Sequence, residues 1–107
     1  MNSRQKGKRG ELELAHYLKD HGYKNARRSV QYNGKAENAK CDVLGLDGYH
    51  VECKRVEKLN LEKASEQAER DTENGDIPIV VHKKNRKPWY VTIRLDNFLD
   101  IISKTNN

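Results

Sequence analysis

The chain has 107 residues, 35% hydrophobic and 35% charged, which suits one domain with a modest core and excludes a second core. Its net charge of +5 favours polyanionic partners such as nucleic acid, with solubility alone as the ordinary alternative. With no apolar run of membrane-spanning length and none after the first residues to form a signal peptide, we expect a single cytoplasmic domain (residues 1–107) without a membrane partner.

Apolar periodicity and turn residues predict the order α-β-β-β-α-β-β-α. In the first half of the chain we expect a helix at about 3–21 stopped by Gly22, a strand within 24–30, and a polar loop with Asn33-Gly34. A hairpin of 41–44 and 49–53 around Asp47-Gly48 follows. In the second half we expect a helix at 61–73 ending at Asn74-Gly75, strands at 77–82 and 89–93, and a helix capped by Asp96 through about 102. This order is typical of an α/β domain with a mixed central sheet flanked by helices.

A glutamate interrupts the apolar stripe of the first helix. At about 100° per residue, Leu14, Ala15 and Leu18 all fall within about 60° of Glu11. Burying a carboxylate is costly unless it is paired or bound to a metal. Glu11 therefore either pairs with a basic residue at the edge of the stripe or belongs to a functional site.

The predicted hairpin carries two more acids. Side chains alternate along a strand, so Glu52 and Lys54 share one face. A two-residue turn would place Asp42 opposite Cys53. A three-residue turn with Gly48 in the left-handed position places Asp42 opposite Glu52 and an apolar pair at 43 and 51, and we favour this register.

Two carboxylates at that spacing repel each other unless a positive charge lies between them. Lys54 supplies one such charge, and a divalent cation would supply more. Mg²⁺ takes one or two carboxylates together with phosphate oxygens, so Asp42 and Glu52 with the Cys53 backbone carbonyl suit it. The ordinary alternative is a polar strip on the solvent face of an antiparallel sheet.

The acids and their flanking residues resemble the PD-(D/E)xK nuclease superfamily, in which a helix glutamate precedes a D…ExK hairpin. Beyond the bare pattern, residues 6–13 (KGKRGELE) and 50–55 (HVECKR) look like the archaeal and phage Holliday junction resolvases of that superfamily. The resemblance covers nearly the whole chain. One departure concerns a serine that the archaeal enzymes carry before the metal aspartate: here Gln31, Asn33 or a displaced Ser29 stands in that loop.

This resemblance implies a restriction-endonuclease-like fold, a homodimer, and cutting of branched DNA with Mg²⁺, for which Mn²⁺ should substitute. By matching positions, Asp42 and Glu52 would bind the metal, Lys54 would orient the attacking water, and Glu11 would complete the metal shell directly or through water. A phage-encoded enzyme of this kind would act in the cytoplasm of a bacterial host.

The second helix adds one candidate to the site. Gln67 and Asp71 lie along one edge of a stripe formed by Leu61, Ala64 and Ala68. The two alanines indicate close packing against the sheet near the catalytic strands. Gln67 is therefore a candidate to reach the metal water or a phosphate, with a solvated flank as the alternative.

Basic residues occur in clusters rather than evenly along the chain. These clusters are candidates for contacts to DNA phosphates that do not depend on base sequence, although each could be merely solvated. They are a possibly flexible basic arm at residues 1–9, the pair at 27–28, the residue after Lys54 and the loop at 82–87. The predicted DNA-binding residues are Lys6, Lys8, Arg9, Arg27, Arg28, Arg55, Lys83, Lys84, Arg86 and Lys87.

The remaining chemically active side chains have ordinary interpretations. Cys41 and Cys53 fit neither a disulfide framework nor a zinc pattern, so packed thiols are expected. His50 and His82 lie on predicted strands as ordinary half-buried histidines, although either could face the catalytic side. Of Trp89 and the tyrosine after it, one should face the core, and a base-stacking role is the less common alternative.

The sequence supports a metal-dependent endonuclease that resolves four-way DNA junctions as its first hypothesis. A nuclease of the same fold acting on flapped, nicked or otherwise branched DNA is the nearest alternative, and a toxin or defence nuclease would share its active site. A module that binds nucleic acid without catalysis would explain the basic clusters but leave the acids unexplained.

Overall fold

The computed structural model describes residues 3–32, 35–36, 41–73 and 75–105. The helices are α1 (Ser3–Asp20), α2 (Leu61–Asp71) and α3 (Leu95–Thr105). The strands are β1 (Arg27–Arg28), β2 (Gln31–Tyr32), β3 (Lys35–Ala36), β4 (Val43–Leu44), β5 (Tyr49–Arg55), β6 (Ile77–Lys83) and β7 (Tyr90–Ile93).

The centre of the fold is a five-stranded sheet in the order β1-β4-β5-β6-β7. β5 pairs with β6 in parallel, and the other neighbours are antiparallel, so the sheet is mixed. β2 and β3 form a separate two-stranded sheet. The predicted fold class, an α/β restriction-endonuclease-like arrangement with helices around a mixed sheet, is confirmed.

The two faces of the sheet are covered by different helices. On one face Leu14 and Ala15 of α1 pack on Val51, Cys53 and the neighbouring strands, and these residues form the main core. On the other face, Ala64 and Ala68 of α2 pack on Val80 of β6. Small side chains on α2 allow the helix to approach the sheet closely, as the two alanines predicted.

α1 follows its prediction closely and ends at a glycine. The Gly22 N–H donates to the Lys19 carbonyl and the Tyr23 N–H to the Leu18 carbonyl, with Gly22 at φ +96°. This is a Schellman cap, in which glycine accommodates the left-handed conformation without strain. Because α1 begins at Ser3, the basic residues Lys6, Lys8 and Arg9 lie in the first turns of the helix and not in the flexible arm expected at residues 1–9.

Several predicted boundaries need correction. The strand expected within 24–30 is confined to β1, because a turn in which the Ala26 N–H donates to the Tyr23 carbonyl precedes it. The segment expected as a polar loop contributes β2 and β3, while Asn33-Gly34 itself lies outside the described residues. On α2, Leu61 is 38% exposed rather than buried.

The two later helices also differ from their predicted ends. α2 ends at Asp71 with Thr72 as its cap, before Gly75 of the predicted stop, and Asn74 lies outside the described residues. α3 runs to Thr105 rather than to about 102. Asp96 lies inside its first turn and accepts a hydrogen bond from the Asn97 N–H, so it is not the cap. No helix in the described ranges is long and apolar enough to span a membrane.

Candidate active site

The central strand β5 carries three polar side chains on the face that α2 covers. Glu52 pairs with Val80 in the parallel register, and Val80 packs against α2. Because side chains alternate along a strand, His50 and Lys54 share the face of Glu52, whereas Val51 and Cys53 point into the α1 core. The strand therefore presents charged groups from the middle of the sheet.

The β4–β5 hairpin places Asp42 beside this strand. Val43 pairs with Val51 and Gly48 has φ +89°, which confirms the three-residue turn and the predicted pairing of residues 43 and 51. The Asp42 N–H donates to the Val51 carbonyl (3.0 Å), and its Oδ2 accepts the Cys53 N–H (2.8 Å). Asp42 precedes β4 and binds the backbone of β5 on both sides of Glu52, so the predicted cross-strand pairing of Asp42 with Glu52 is not seen among the paired residues.

Glu52 is the most deeply buried charged residue of the described chain, at 2% exposed. Its Oε1 lies 3.6 Å from Lys54 Nζ, while its Oε2 is buried and has no hydrogen-bond partner among the described residues. Burial, followed by the negative charge of Asp42, raises the pKa of Glu52 to about 7 against the opposing effect of Lys54. Burial also raises the pKa of Asp42, although its hydrogen bond from Cys53 opposes the shift.

Glu11 approaches this pair from α1 and is half-buried. Its Oε1 accepts a hydrogen bond from Arg28 Nε at 3.2 Å, so the basic partner foreseen at the edge of the stripe is Arg28. The pKa of Glu11 is raised by burial and then by the charge of Asp42, and it is lowered by Arg28 and Lys54. Glu11 thus lies close enough to Asp42 and Lys54 for their charges to shift its pKa, and the same two groups shift the pKa of Glu52.

The donor set suits a hard divalent cation. An unpartnered buried carboxylate oxygen and adjacent carboxyl groups with raised pKa values both call for a neutralising positive charge. Within the described ranges no group of three or more His, Cys, Asp or Glu could hold a metal ion. Two carboxylates nevertheless meet the usual protein contribution to a Mg²⁺ site, where water and phosphate oxygens fill the remaining positions.

α2 contributes its carboxyl-terminal half to the same region. The negative charge of Asp71 raises the pKa of Glu52, so the end of α2 lies near Glu52. Gln67 is half-buried one turn earlier, on the same edge of the helix. The structure therefore places Gln67 on the side of α2 that approaches the acids.

His50 is a site neighbour that the sequence interpretation undervalued. It is 2% exposed rather than half-buried, it lies close enough to Asp42 to lower the pKa of that carboxyl group, and its Nε2 is buried without a hydrogen-bond partner among the described residues. The signal was its position two residues before Glu52 on one strand. His82 is half-buried as expected, and its Nε2 lies 2.9 Å from Thr92 Oγ1.

The other side chains considered in the sequence have the expected surroundings. Cys41 and Cys53 are free and buried, and burial raises the pKa of both thiols. Trp89 packs against the main core while Tyr90 is exposed, so one of the two aromatic residues faces inward as predicted.

The predicted DNA-binding residues are divided between clefts on the two sides of α1. Lys6, Arg9 and Arg55 line an open cleft of about 480 Å³ together with Asn85 of the basic loop. Arg55 and Lys83 both pair with Glu13, at 3.0 and 3.8 Å. The structure thus brings three of these residues together in one basic cleft.

The second cleft has a volume of about 370 Å³, and Arg27 and Arg28 line it together with Lys19. Lys8, Lys84, Arg86 and Lys87 are exposed and line neither of these clefts.

Comparison with known proteins identifies a family for this arrangement. A model of the family described as "Phage putative PDDEXK endonuclease" matches residues 2–107. A search of curated proteins and a search of solved structures found no match. Since the family model spans almost the whole chain, the chain belongs to this PDDEXK endonuclease family of phages.

Proposed function

We propose that this chain is a Mg²⁺-dependent endonuclease that hydrolyses DNA at branch points, with the four-way junction as its substrate. Membership in a phage PDDEXK endonuclease family supports the nuclease chemistry. The observation that carries the proposal is Glu52, buried beside Lys54 and Asp42 with one carboxylate oxygen unpartnered among the described residues. A purely structural strand would not hold such a group without compensation.

In the proposed site, Asp42 and Glu52 with the Cys53 carbonyl hold the cation, and Glu11 completes its surroundings. When bound, Mg²⁺ lowers the pKa of water and neutralises charge that develops on a phosphodiester. The Lys54 ammonium, fixed beside Glu52, orients the attacking water and stabilises negative charge on the phosphoryl oxygens. Gln67 binds a water or phosphate oxygen from the α2 side.

DNA binding is assigned to the two basic clefts beside α1 and to the exposed loop between β6 and β7. Lys6, Arg9 and Arg55 line the larger cleft, and Arg55 is adjacent in sequence to Lys54. Arg28 lines the second cleft and donates to Glu11, so a strand held there by its phosphates would pass beside Glu11. Contacts of this kind position DNA without reading its sequence, which suits recognition of a branched shape.

The decisive experiment compares a synthetic four-way junction with fork, flap, nicked and linear duplexes in a gel assay with Mg²⁺. We expect the junction to be cut and the linear duplex to be spared. Each of four single substitutions should abolish cutting while binding of the junction is retained. These are Glu52→Gln, Asp42→Ala, Lys54→Ala and Glu11→Ala. Glu66→Gln, on the exposed side of α2, is the matched control and should cut normally.

The outcomes separate the alternatives. Cleavage that survives Asp42→Ala in Mg²⁺ would refute the site assignment. Preferential cutting of flaps or nicks would keep the chemistry and change the substrate. Binding without cutting, together with a melting temperature that ignores Mg²⁺ and Mn²⁺, would leave a nucleic-acid-binding module.

A further inference from the structure

Two aromatic rings line an open cleft on the side of α1 that carries Glu13. Tyr17 of α1 is 44% exposed, and Trp89, just before β7, is partly exposed although its side chain also packs against the main core. Together with Pro88 they line a cleft of about 470 Å³, the aromatic cleft. Its volume is within the range of small-ligand sites, and flat rings exposed in a cleft suit a flat ligand.

The ring of Tyr17 is held in place by a neighbour. His21 stacks on Tyr17 with ring centroids 4.2 Å apart and planes inclined by 26°, and His21 Nδ1 lies 2.8 Å from the Tyr17 carbonyl oxygen. The rings of Tyr17 and Trp89 are 6.5 Å apart and tilted by 52°, so they do not stack on each other. A ring fixed in this way loses little conformational entropy when a ligand binds.

The aromatic cleft adjoins the larger basic cleft beside α1. Glu13 lines both clefts, and the loop between β6 and β7 contributes Asn85 to the basic cleft and Pro88 to the aromatic one. A DNA strand whose phosphates lie in the basic cleft therefore has its bases next to Tyr17 and Trp89.

The charges around the aromatic cleft favour a neutral ligand that donates hydrogen bonds. Glu13 pairs with Arg55 at 3.0 Å and with Lys83 at 3.8 Å, so two cations compensate its charge. Asp20 also lines the cleft and is exposed. Its carboxylate repels a phosphate but can accept the amino or imino hydrogens of a nucleobase. The basic cleft thus suits phosphates, and the aromatic cleft suits a base.

We propose that the aromatic cleft binds an unpaired nucleobase of the DNA substrate by stacking on Tyr17 and Trp89. A base inside a duplex is paired and stacked on its neighbours, so only a base released from its pair can enter. Stacking on aromatic side chains tolerates any sequence, because every base has a flat face.

This subsite deepens the proposed function and rests on it for its role. Phosphates are present on every DNA, whereas unpaired bases are available at branch points and in single strands. Stacking in the aromatic cleft therefore supplies a preference for branched DNA over linear duplex. Binding of a base requires no metal, so the subsite is measured separately from cleavage.

Trp89 is the only tryptophan of the chain, so its fluorescence reports directly on the aromatic cleft. In a chelator, we expect single-stranded oligothymidine of about ten nucleotides to quench the Trp89 emission as it binds. An abasic oligomer with the same number of phosphates should leave the emission nearly unchanged, and so should a linear duplex of equal charge.

Substitution of Tyr17 separates stacking from phosphate contacts. Tyr17→Leu should weaken the binding of oligothymidine at least fivefold, with an unchanged far-ultraviolet circular dichroism spectrum because Tyr17 is exposed. Tyr17→Phe keeps the ring and should bind as tightly as the wild type. Tyr23→Leu is the matched control, because Tyr23 is 50% exposed and lies outside the cleft.

Equal quenching by oligothymidine and the abasic oligomer, or quenching by neither, would overturn the proposal and leave an apolar protein segment as the occupant of the cleft. Equal affinities of Tyr17→Leu and Tyr23→Leu for oligothymidine would overturn it as well. Base-dependent quenching in a chain that cuts no DNA contradicts only the nuclease proposal, whereas cleavage of branched DNA without such quenching contradicts only this one.

Discussion

The carboxyl group of Glu52 has unequal surroundings at its two oxygens. One lies 3.6 Å from the Lys54 ammonium and the other has no hydrogen-bond partner within the described residues. Since burial and Asp42 raise its pKa to about 7, the folded chain without metal holds a proton there that the unfolded chain releases near the ordinary value of 4.5. The stability of the metal-free protein must therefore depend on pH.

The sign of this dependence follows from proton binding. The folded state binds more protons between pH 4.5 and 7, so the contribution of Glu52 to stability falls as pH rises through that window and is constant above it. Without metal, we expect Glu52→Gln to match the wild type near pH 4.5 and to be more stable by roughly 3 kcal/mol at pH 8. Thermal melts in a chelator at both pH values measure this difference.

Glu66→Gln is the control for these melts, because Glu66 is exposed and its replacement should give no pH-dependent difference. A wild type that gains stability relative to Glu52→Gln from pH 4.5 to 8 would contradict the assigned pKa. Added Mg²⁺ or Mn²⁺ should raise the melting temperature of the wild type and leave that of Glu52→Gln nearly unchanged.

The position of a site residue could be predicted from sequence where the periodicity of its own helix or strand fixes the direction of its side chain. Strand alternation places Glu52 and Lys54 on one face, and helical geometry places Glu11 inside the apolar stripe. The hydrogen bond from the Cys53 N–H to Asp42 could not be predicted. It accompanies a shift in which the Asp42 N–H binds the Val51 carbonyl, whereas the predicted register placed Asp42 opposite Glu52. The burial of His50 also depends on how β6 and α2 pack over β5, which no local pattern gives.

The close approach of α1 to β5 depends on a glycine within the helix. A Cβ atom at Gly10 would lie 2.6 Å from Arg55 Cβ, whereas a Cβ at Gly7 would meet nothing within 4 Å. Glycine is normally unfavourable inside a helix by about 1 kcal/mol relative to alanine. Gly10 therefore serves the packing of α1 on β5, and this close approach brings Glu11 towards the strand that carries Glu52.

The two glycines give opposite expectations for the same substitution. Gly7→Ala should stabilise the fold by up to about 1 kcal/mol through helix propensity alone. Gly10→Ala should destabilise it by about 1 to 3 kcal/mol, since α1 or β5 must move to relieve the contact. Urea unfolding measures both free energies, and a stabilising Gly10→Ala would show that the helix can shift freely.

Among the secondary elements, prediction succeeded where one pattern dominates and failed where packing decides. The apolar stripe and Gly22 define α1, and the apolar run of residues 77–81 defines β6, which was predicted at 77–82 and extends to Lys83. The expected end of α3 was early because it was set at Ile102, the last residue of the apolar face, whereas no stop signal follows and the helix extends to Thr105. β2 and β3 were missed because their polar residues lack the alternation of a half-buried strand.

Over the whole molecule, positive charge is concentrated beside α1 while α3 is locally acidic. Lys6, Arg9 and Arg55 line one cleft, and their proposed partners are phosphates. Each phosphate contact releases counterions, so binding of DNA should weaken steeply with salt. This distribution of charge favours the clefts beside α1 over α3 as the proposed DNA surface.

Salt dependence tests the cleft directly. In the Glu52→Gln background without metal, junction binding can be followed without cutting. Lys6→Ala should reduce the slope of log K against log salt by about 1, corresponding to one lost phosphate contact. Lys104→Ala, on the last turn of α3, should leave the slope unchanged. Equal slopes for Lys6→Ala and its parent would exclude Lys6 from the DNA surface.

The parallel pairing of β5 with β6 has a consequence for how the chain folds. β4 reaches β5 through a short turn, whereas β6 pairs only after the chain has passed through α2, with Tyr49 meeting Ile77. Contacts between distant segments form late, because closing the longer loop is entropically unfavourable. We therefore expect Glu52 to stay hydrated while the hairpin forms and to lose water only as α2 and β6 dock. The final folding barrier should include an electrostatic contribution that diminishes in acid.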